Sequence, residues 1–142
     1  MVSFNKYYVF VEDVAEKIHN LATDTLRIAL ASGVNAPSPT CPTLTGVGEI
    51  LNGNGYTRSG NATTVVTSAQ TGGFYKLVLN NPATWTGGPA AMDTFRYAVL
   101  YNDTPATKPV IGYWDYGTTV TLNSGETFTV TLDGTAGVLT IQ

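Results

Sequence analysis

The stretch Phe95-Arg96-Tyr97-Ala98-Val99-Leu100-Tyr101-Asn102-Asp103 (FRYAVLYND) crowds aromatic and β-branched residues together and closes on turn chemistry. Side chains of this kind fit a pleated, half-buried surface, so the stretch predicts a strand and its exit turn. The same grammar runs on to the C-terminal end. Val110 to Gly117 (VIGYWDYG), Thr118 to Leu122, Glu126 to Leu132 and Gly137 to Ile141 follow, broken by Asn123-Ser124-Gly125 and Asp133-Gly134. The last third therefore predicts an unbroken β-meander. It holds almost nothing suited to acid–base or nucleophilic chemistry.

Working outward, Phe74 to Leu79 predicts a strand with apolar residues on both faces, ended by Asn80-Asn81-Pro82. Thr25 to Leu30 alternates and predicts the first secure strand. Glu49 to Leu51 begins a short strand before the turn Asn52-Gly53-Asn54-Gly55-Tyr56, and Thr57 to Val66 is polar, with a break at Gly60-Asn61. Near the N-terminus, Tyr7, Val11, Val14, Ile18 and Leu21 recur at three- and four-residue steps. That spacing predicts a helix over about residues 10–21, with Asp13 and Lys17 as a favourable pair. Tyr7 to Phe10 reads alternatively as a short strand leading into it. The helix either packs on the sheet or serves as an arm that docks on a neighbour.

Two loops stand out: Ser32 to Leu44, with Pro37, Pro39 and Pro42, and Ala83 to Asp93, with Trp85 and Gly87-Gly88-Pro89. The strand count and spacing predict a mostly-β, single-domain fold. It is a β-sandwich or jelly roll of about eight strands with one short N-terminal helix. Residues 1–142 form one domain, with an N-terminal arm and helix over about 1–22, and no repeat or linker divides them.

A chain of 142 residues is long enough for a buried core. Only 12% of it is charged, about half of the usual ~25%, and threonine is the most frequent residue. A surface of hydroxyls and amides is buried in an assembly at lower desolvation cost than one of Lys and Glu; it equally suits a secreted β-protein. The net charge is −3, and the basic residues Lys6, Lys17, Arg27, Arg58, Lys76, Arg96 and Lys108 are scattered. No basic stripe tracks a phosphate backbone, which argues against direct nucleic-acid binding. Phe4 to Val11 is aromatic but short, and Glu12, Asp13 and Glu16 follow it, which is not the pattern of a signal peptide and predicts folding in a cytoplasm. No apolar run approaches the roughly 20 residues that span a bilayer, so no membrane role is expected.

His19 and Cys41 are the single histidine and cysteine, and their separation matches no metal spacing. Gly53-Asn54-Gly55 lacks the further glycine of a dinucleotide fingerprint. Asp93, Asp103, Asp115, Glu126 and Asp133 sit mostly at strand ends, where acids serve turns. No catalytic residue, metal or cofactor is expected. Arg96, in a strand that reads as buried on both faces, needs a carboxylate, and Asp115 on the next strand is the nearest by topology. A structural Arg96–Asp115 ion pair is predicted, with Arg96 reaching a neighbouring subunit as the alternative. Trp85, Tyr101, Tyr113, Trp114 and Tyr116 either fill a core or present an aromatic face to a sugar or a protein. Trp85, in its Gly/Pro loop, is the best candidate for an exposed anchor.

The blocks Gly53 to Thr57 (GNGYT), Phe95 to Asp103 (FRYAVLYND) and Ile111 to Gly117 (IGYWDYG) resemble a group of small tailed-bacteriophage virion proteins. So do the opening Tyr8 to Leu30 and the closing Gly125 to Val130 and Gly137 to Leu139. The resemblance implies a capsid decoration (cement) protein on the exterior of the virion. Its partner would be the major capsid protein, bound at capsomer junctions. A homo-oligomer, expected to be a trimer at local three-fold positions, would hold the shell against internal DNA pressure. The contact residues it implies are Phe4, Tyr7, Tyr8 and Phe10 of the N-terminal arm, Pro37, Pro39 and Pro42 of the proline loop, and Trp85. The alternative within the particle is a tail, head-fibre or receptor-binding component that holds host glycan through exposed aromatics.

Overall fold

The computed structural model describes residues 2–32 and 37–142. Among them the fold is mostly β, a sandwich-like single domain with one α-helix. The main sheet has five antiparallel strands in the order β1 (Phe4–Lys6), β8 (Val110–Val120), β7 (Phe95–Asn102), β2 (Leu26–Ala31) and β3 (Asn61–Thr63). A second sheet is ordered β10 (Leu139–Ile141), β5 (Phe74–Leu79) and β4 (Val65–Thr71), and a two-stranded ribbon joins β6 (Trp85–Thr86) to β9 (Thr127–Phe128).

FRYAVLYND forms β7, the centre of the main sheet. It pairs with β2 from Leu26↔Asn102 to Ala31↔Tyr97 and with β8 through Ala98↔Trp114, Val99↔Tyr113 and Leu100↔Gly112. Every residue from Tyr97 to Asn102 is buried. Ile28, Leu30 and Leu100 of this sheet share one apolar cluster with Leu77 and Leu79 of β5. Each such Leu or Ile contributes about 1.5–3 kcal/mol by leaving water.

The last third is not a continuous meander. Only β7 and β8 form the expected hairpin. β8 spans both strands expected at Val110–Gly117 and Thr118–Leu122, and residues 116–119, around the expected boundary between them, form a detour inside it. β9 leaves for β6 and β10 leaves for β5. Alternation fixes which face a side chain takes, not which strand lies beside it. Phe128 is drawn to Phe95 and Trp85, with ring centroids 4.8 and 6.3 Å away, and this cluster takes β9 off the expected path.

The helix, α1, is shorter and earlier than its apolar spacing predicts, spanning Tyr8–Ala15. Lys17 takes a left-handed conformation (φ 65°), the Ile18 N–H donates to the Asp13 carbonyl (2.8 Å) and the Lys17 N–H to that of Val14 (3.4 Å). This 6→1 and 5→2 pattern closes a helix, usually around a glycine. A lysine in that place hid the stop, while Leu21 kept the apolar rhythm and buries itself beyond it. The alternative reading of Tyr7–Phe10 as a short strand is overturned, since Tyr8 to Phe10 open α1 with Tyr7 before them; the strand that leads into the helix is Phe4–Lys6, β1.

The turn at Asn52–Tyr56 closes through reciprocal Gly53–Tyr56 backbone bonds (2.8 and 3.0 Å), and Tyr56 is buried with its hydroxyl on the Glu49 carboxylate (2.8 Å). Gly55 has φ 95°, and a Cβ there would lie 1.8 Å from the Thr86 carbonyl oxygen. Gly55→Ala is therefore expected to lower unfolding free energy by about 3 kcal/mol or more, measured by urea denaturation; a loss no larger than that of an exposed Gly72→Ala would show that the turn yields freely.

Candidate functional site

Two surface grooves meet at Phe4. The first, about 540 Å³, runs between β10 and the N-terminal pair β1 and α1, and Lys6, Val11 and Val14 line it. The second, about 440 Å³, is lined by Arg96, Trp114, Tyr116 and Phe128, with Thr129 to Leu132 along one wall. Phe4 divides them because β1 pairs with β8 in the register Phe4↔Trp114 and Lys6↔Gly112. Its ring tilts against Trp114 (4.8 Å between centroids) and fills the space a side chain at Gly112 would need, since a Cβ there would fall 2.1 Å from Phe4 Cζ. The glycine inside IGYWDYG thus seats the N-terminal strand.

The expected N-terminal arm is not free. Tyr7 and Phe10 are core residues, and the Tyr7 N–H donates to the Ile111 carbonyl (3.1 Å). Burial also pushes the Tyr7 phenol far above its ordinary range. Tyr8 is different: it is 70% exposed, and Val11, one turn on, is 62% exposed. Residues three apart share a helix face, so the two make one outward apolar patch at the rim of the first groove. Val11 was missed as a surface residue because its spacing fits a core stripe equally well.

The proline loop is stitched down. Pro37 is buried, Pro39 half-buried and Pro42 exposed. The Pro39 carbonyl accepts from Tyr8 N–H (2.7 Å) and that of Pro42 from Val110 N–H (3.2 Å). The part of the expected loop at residues 33–36 lies outside the described residues. Trp85 is 2% exposed, which corrects its reading as a surface anchor. Close backbone approach at Gly87 and Gly88 folds its Gly/Pro loop against Asn123 and Asn54, carrying the indole inward against Phe128.

Arg96 and Asp115 form a two-pronged pair, with Nε donating to Oδ1 (2.7 Å) and an Nη to Oδ2 (2.8 Å). Both side chains are 35% exposed, so the pair lies at the groove's edge and not inside the sheet as expected. The reason is the detour in β8: Tyr97 pairs with Asp115 and Phe95 with Val120, leaving residues 116–119 opposite Arg96 alone. Asp115 Oδ1 also accepts from Gly117 N–H (2.8 Å), where φ is 89°. The carboxylate pins the base of the detour. Tyr116, the first residue of the detour, is 51% exposed and meets Phe128 edge-on (5.7 Å). Tyr101 is buried with its hydroxyl on the Ser59 carbonyl (2.8 Å), while Tyr113 and Trp114 are half-buried.

His19 lies just past α1, its ring 5.3 Å from Phe10. Nδ1 meets Asn102 Nδ2 (3.2 Å), Asn102 donates to Asp24 (2.6 Å), and Nε2 lies 3.7 Å from an Asp13 oxygen. Among the described residues no group of three or more His, Cys, Asp or Glu side chains is arranged to hold a metal ion, and no helix is long and apolar enough to cross a membrane.

Comparison with protein-family models, curated proteins and solved structures finds no match to this chain.

The Arg96 bonds hold the Asp115 carboxyl below its ordinary range; desolvation opposes them, and the Gly117 N–H adds a smaller lowering. The pair's stabilisation is then present above the ordinary carboxylate pKa and lost as pH falls through the lowered one. Arg96→Met is expected to bring the Asp115 midpoint back up, read by NMR titration of its carboxyl carbon; an unmoved midpoint would assign the shift elsewhere. Burial, opposed by Asp24, lowers the His19 pKa. Its contribution is thus full above the ordinary value near 6.5 and is lost below it, because the unfolded chain takes the proton first. The urea midpoint is expected to fall between roughly pH 7 and pH 5, and less steeply in His19→Gln; parallel pH profiles would overturn this.

Proposed function

We propose that this protein is a structural component of a tailed-bacteriophage particle, a capsid decoration protein that binds the major capsid protein on the outside of the shell. The observation that carries the proposal is the Tyr8/Val11 patch beside the first groove, on a chain with few charges. A rim of this kind is desolvated at low cost, and a rigid β-domain behind it holds the contact without further ordering. A weak contact suffices when many copies bind one shell, since avidity multiplies small affinities, and a homo-oligomer would add to it. The role requires no bond to be made or broken. The resemblance in GNGYT, FRYAVLYND and IGYWDYG supports the same assignment.

A second reading, a tail, head-fibre or receptor-binding component, is favoured by Tyr116 at the mouth of the second groove beside Arg96. Two of the guanidinium's five N–H donors serve Asp115, which leaves others for a sugar hydroxyl.

Quantitative mass spectrometry of purified particles of the parent virus tests both. Hundreds of copies in simple ratio to the major shell protein are expected; about a dozen would move the protein to the tail or a vertex, and absence would sink the virion assignment. Tyr8→Asp with Val11→Asp is expected to weaken binding to undecorated shells by at least about tenfold while far-UV circular dichroism stays unchanged. Undiminished binding would move the contact away from α1.

A further inference from the structure

The open strand edges of this molecule are treated unequally. Both strands of the ribbon, β6 and β9, are two residues long. The edges of the main sheet, β1 and β3, have three residues each, as does β10 at one side of the second sheet. Short edges offer a foreign strand little to pair with. β4, on the other side of the second sheet, runs for seven residues, Val65-Val66-Thr67-Ser68-Ala69-Gln70-Thr71, with no charge and no proline. One side of it is bonded to β5, and the described residues place no strand on the other. A bulge at Val66 interrupts only its first turn of the ladder; from Thr67 to Thr71 the pairing with β5 is regular. Ala69, Gln70 and Thr71 are exposed.

The regular part, Thr-Ser-Ala-Gln-Thr, is close to its own reverse. Laid antiparallel on a second copy about an axis at Ala69, it places Thr67 opposite Thr71, Ser68 opposite Gln70, and Ala69 opposite Ala69. Hydroxyl meets hydroxyl, hydroxyl meets amide, and the smallest side chain sits where two copies meet. Threonine pairs are favourable across antiparallel strands, and no like charges oppose one another. A neutral edge gains nothing electrostatic from a charged partner, whereas a second copy offers the same neutral edge. We infer that β4 is a self-association strand, joining two copies of this chain edge to edge and merging their three-stranded sheets into one of six. The contact is isologous and closes as a two-fold dimer. It does not depend on the virion assignment and differs from a three-fold cluster.

Ala69 lies opposite Lys76 of β5 and is exposed, so a glutamate there suits the folded monomer while setting two like charges on the axis. By analytical ultracentrifugation the full chain is expected to show a concentration-dependent monomer–dimer equilibrium. Ala69→Glu should weaken it roughly tenfold or more, and an equimolar mixture of Ala69→Glu with Ala69→Lys should restore the dimer. Ala69→Cys, oxidised, should give a disulfide-linked dimer, whereas Val66→Cys should not, a readout independent of affinity. A monomer at every concentration that also resists cross-linking through Ala69→Cys overturns the inference. So does a trimer, a dimer indifferent to Ala69→Glu, or a charge-swapped mixture that stays monomeric.

Discussion

A strand buried on both faces needs neighbours on both edges and cover on both sides, and β7 is that strand. Its position between β2 and β8 leaves its peptide groups to those two ladders, and the rest of the fold is arranged to keep water from Tyr97 to Asn102. Cover on one side shares its cluster with Leu77 and Leu79 of the second sheet. The strand ends on Asn102, a fully buried polar residue, and the chain brings Asp24 and His19 to satisfy it. The same bonds tie the segment after α1 to the sheet, so the helix is held at its far end by a polar anchor and at its near end by Tyr7 and Phe10.

β8 performs two tasks along one length. Its first half is the ladder between β7 and β1, with one bulge at Ile111 where the pairing steps from Leu100↔Gly112 to Tyr101↔Val110, and Gly112 there leaves room for Phe4. Its second half departs from the ladder for four residues, and Asp115 holds the departure through Arg96 and the Gly117 amide. The ion pair therefore shapes a surface; with both partners a third exposed, its own share of stability is small. Tyr116, Trp114 and the second groove lie where these halves meet.

The chain's scarcity of charge takes a different form at each surface. Around α1 it leaves Tyr8 and Val11 uncovered, and along β4 it leaves a long edge without the lysines or prolines that usually blunt one. Most large side chains that a sequence suggests as contacts, Tyr7, Phe10 and Trp85 among them, are spent on the interior instead. Contact surfaces are built from fewer and smaller groups than aromatic content alone implies.

The sequence by itself determined the class of the fold, the positions of β2, β5 and β7, and the kinship of Arg96 with Asp115, because alternation, turn residues and nearest-neighbour topology are local properties. It also determined the low-charge surface. Strand partners were decided only in three dimensions: Phe128 meets Trp85 and Phe95 across long stretches of chain, and nothing local to Thr127 or Trp85 signals the other. The stop of α1 at a left-handed lysine, the inward turn of Trp85 and the exposure of Tyr8 and Val11 were likewise tertiary outcomes. An apolar residue at helical spacing fits a core or a surface patch equally well, and only what packs against that face settles which it becomes.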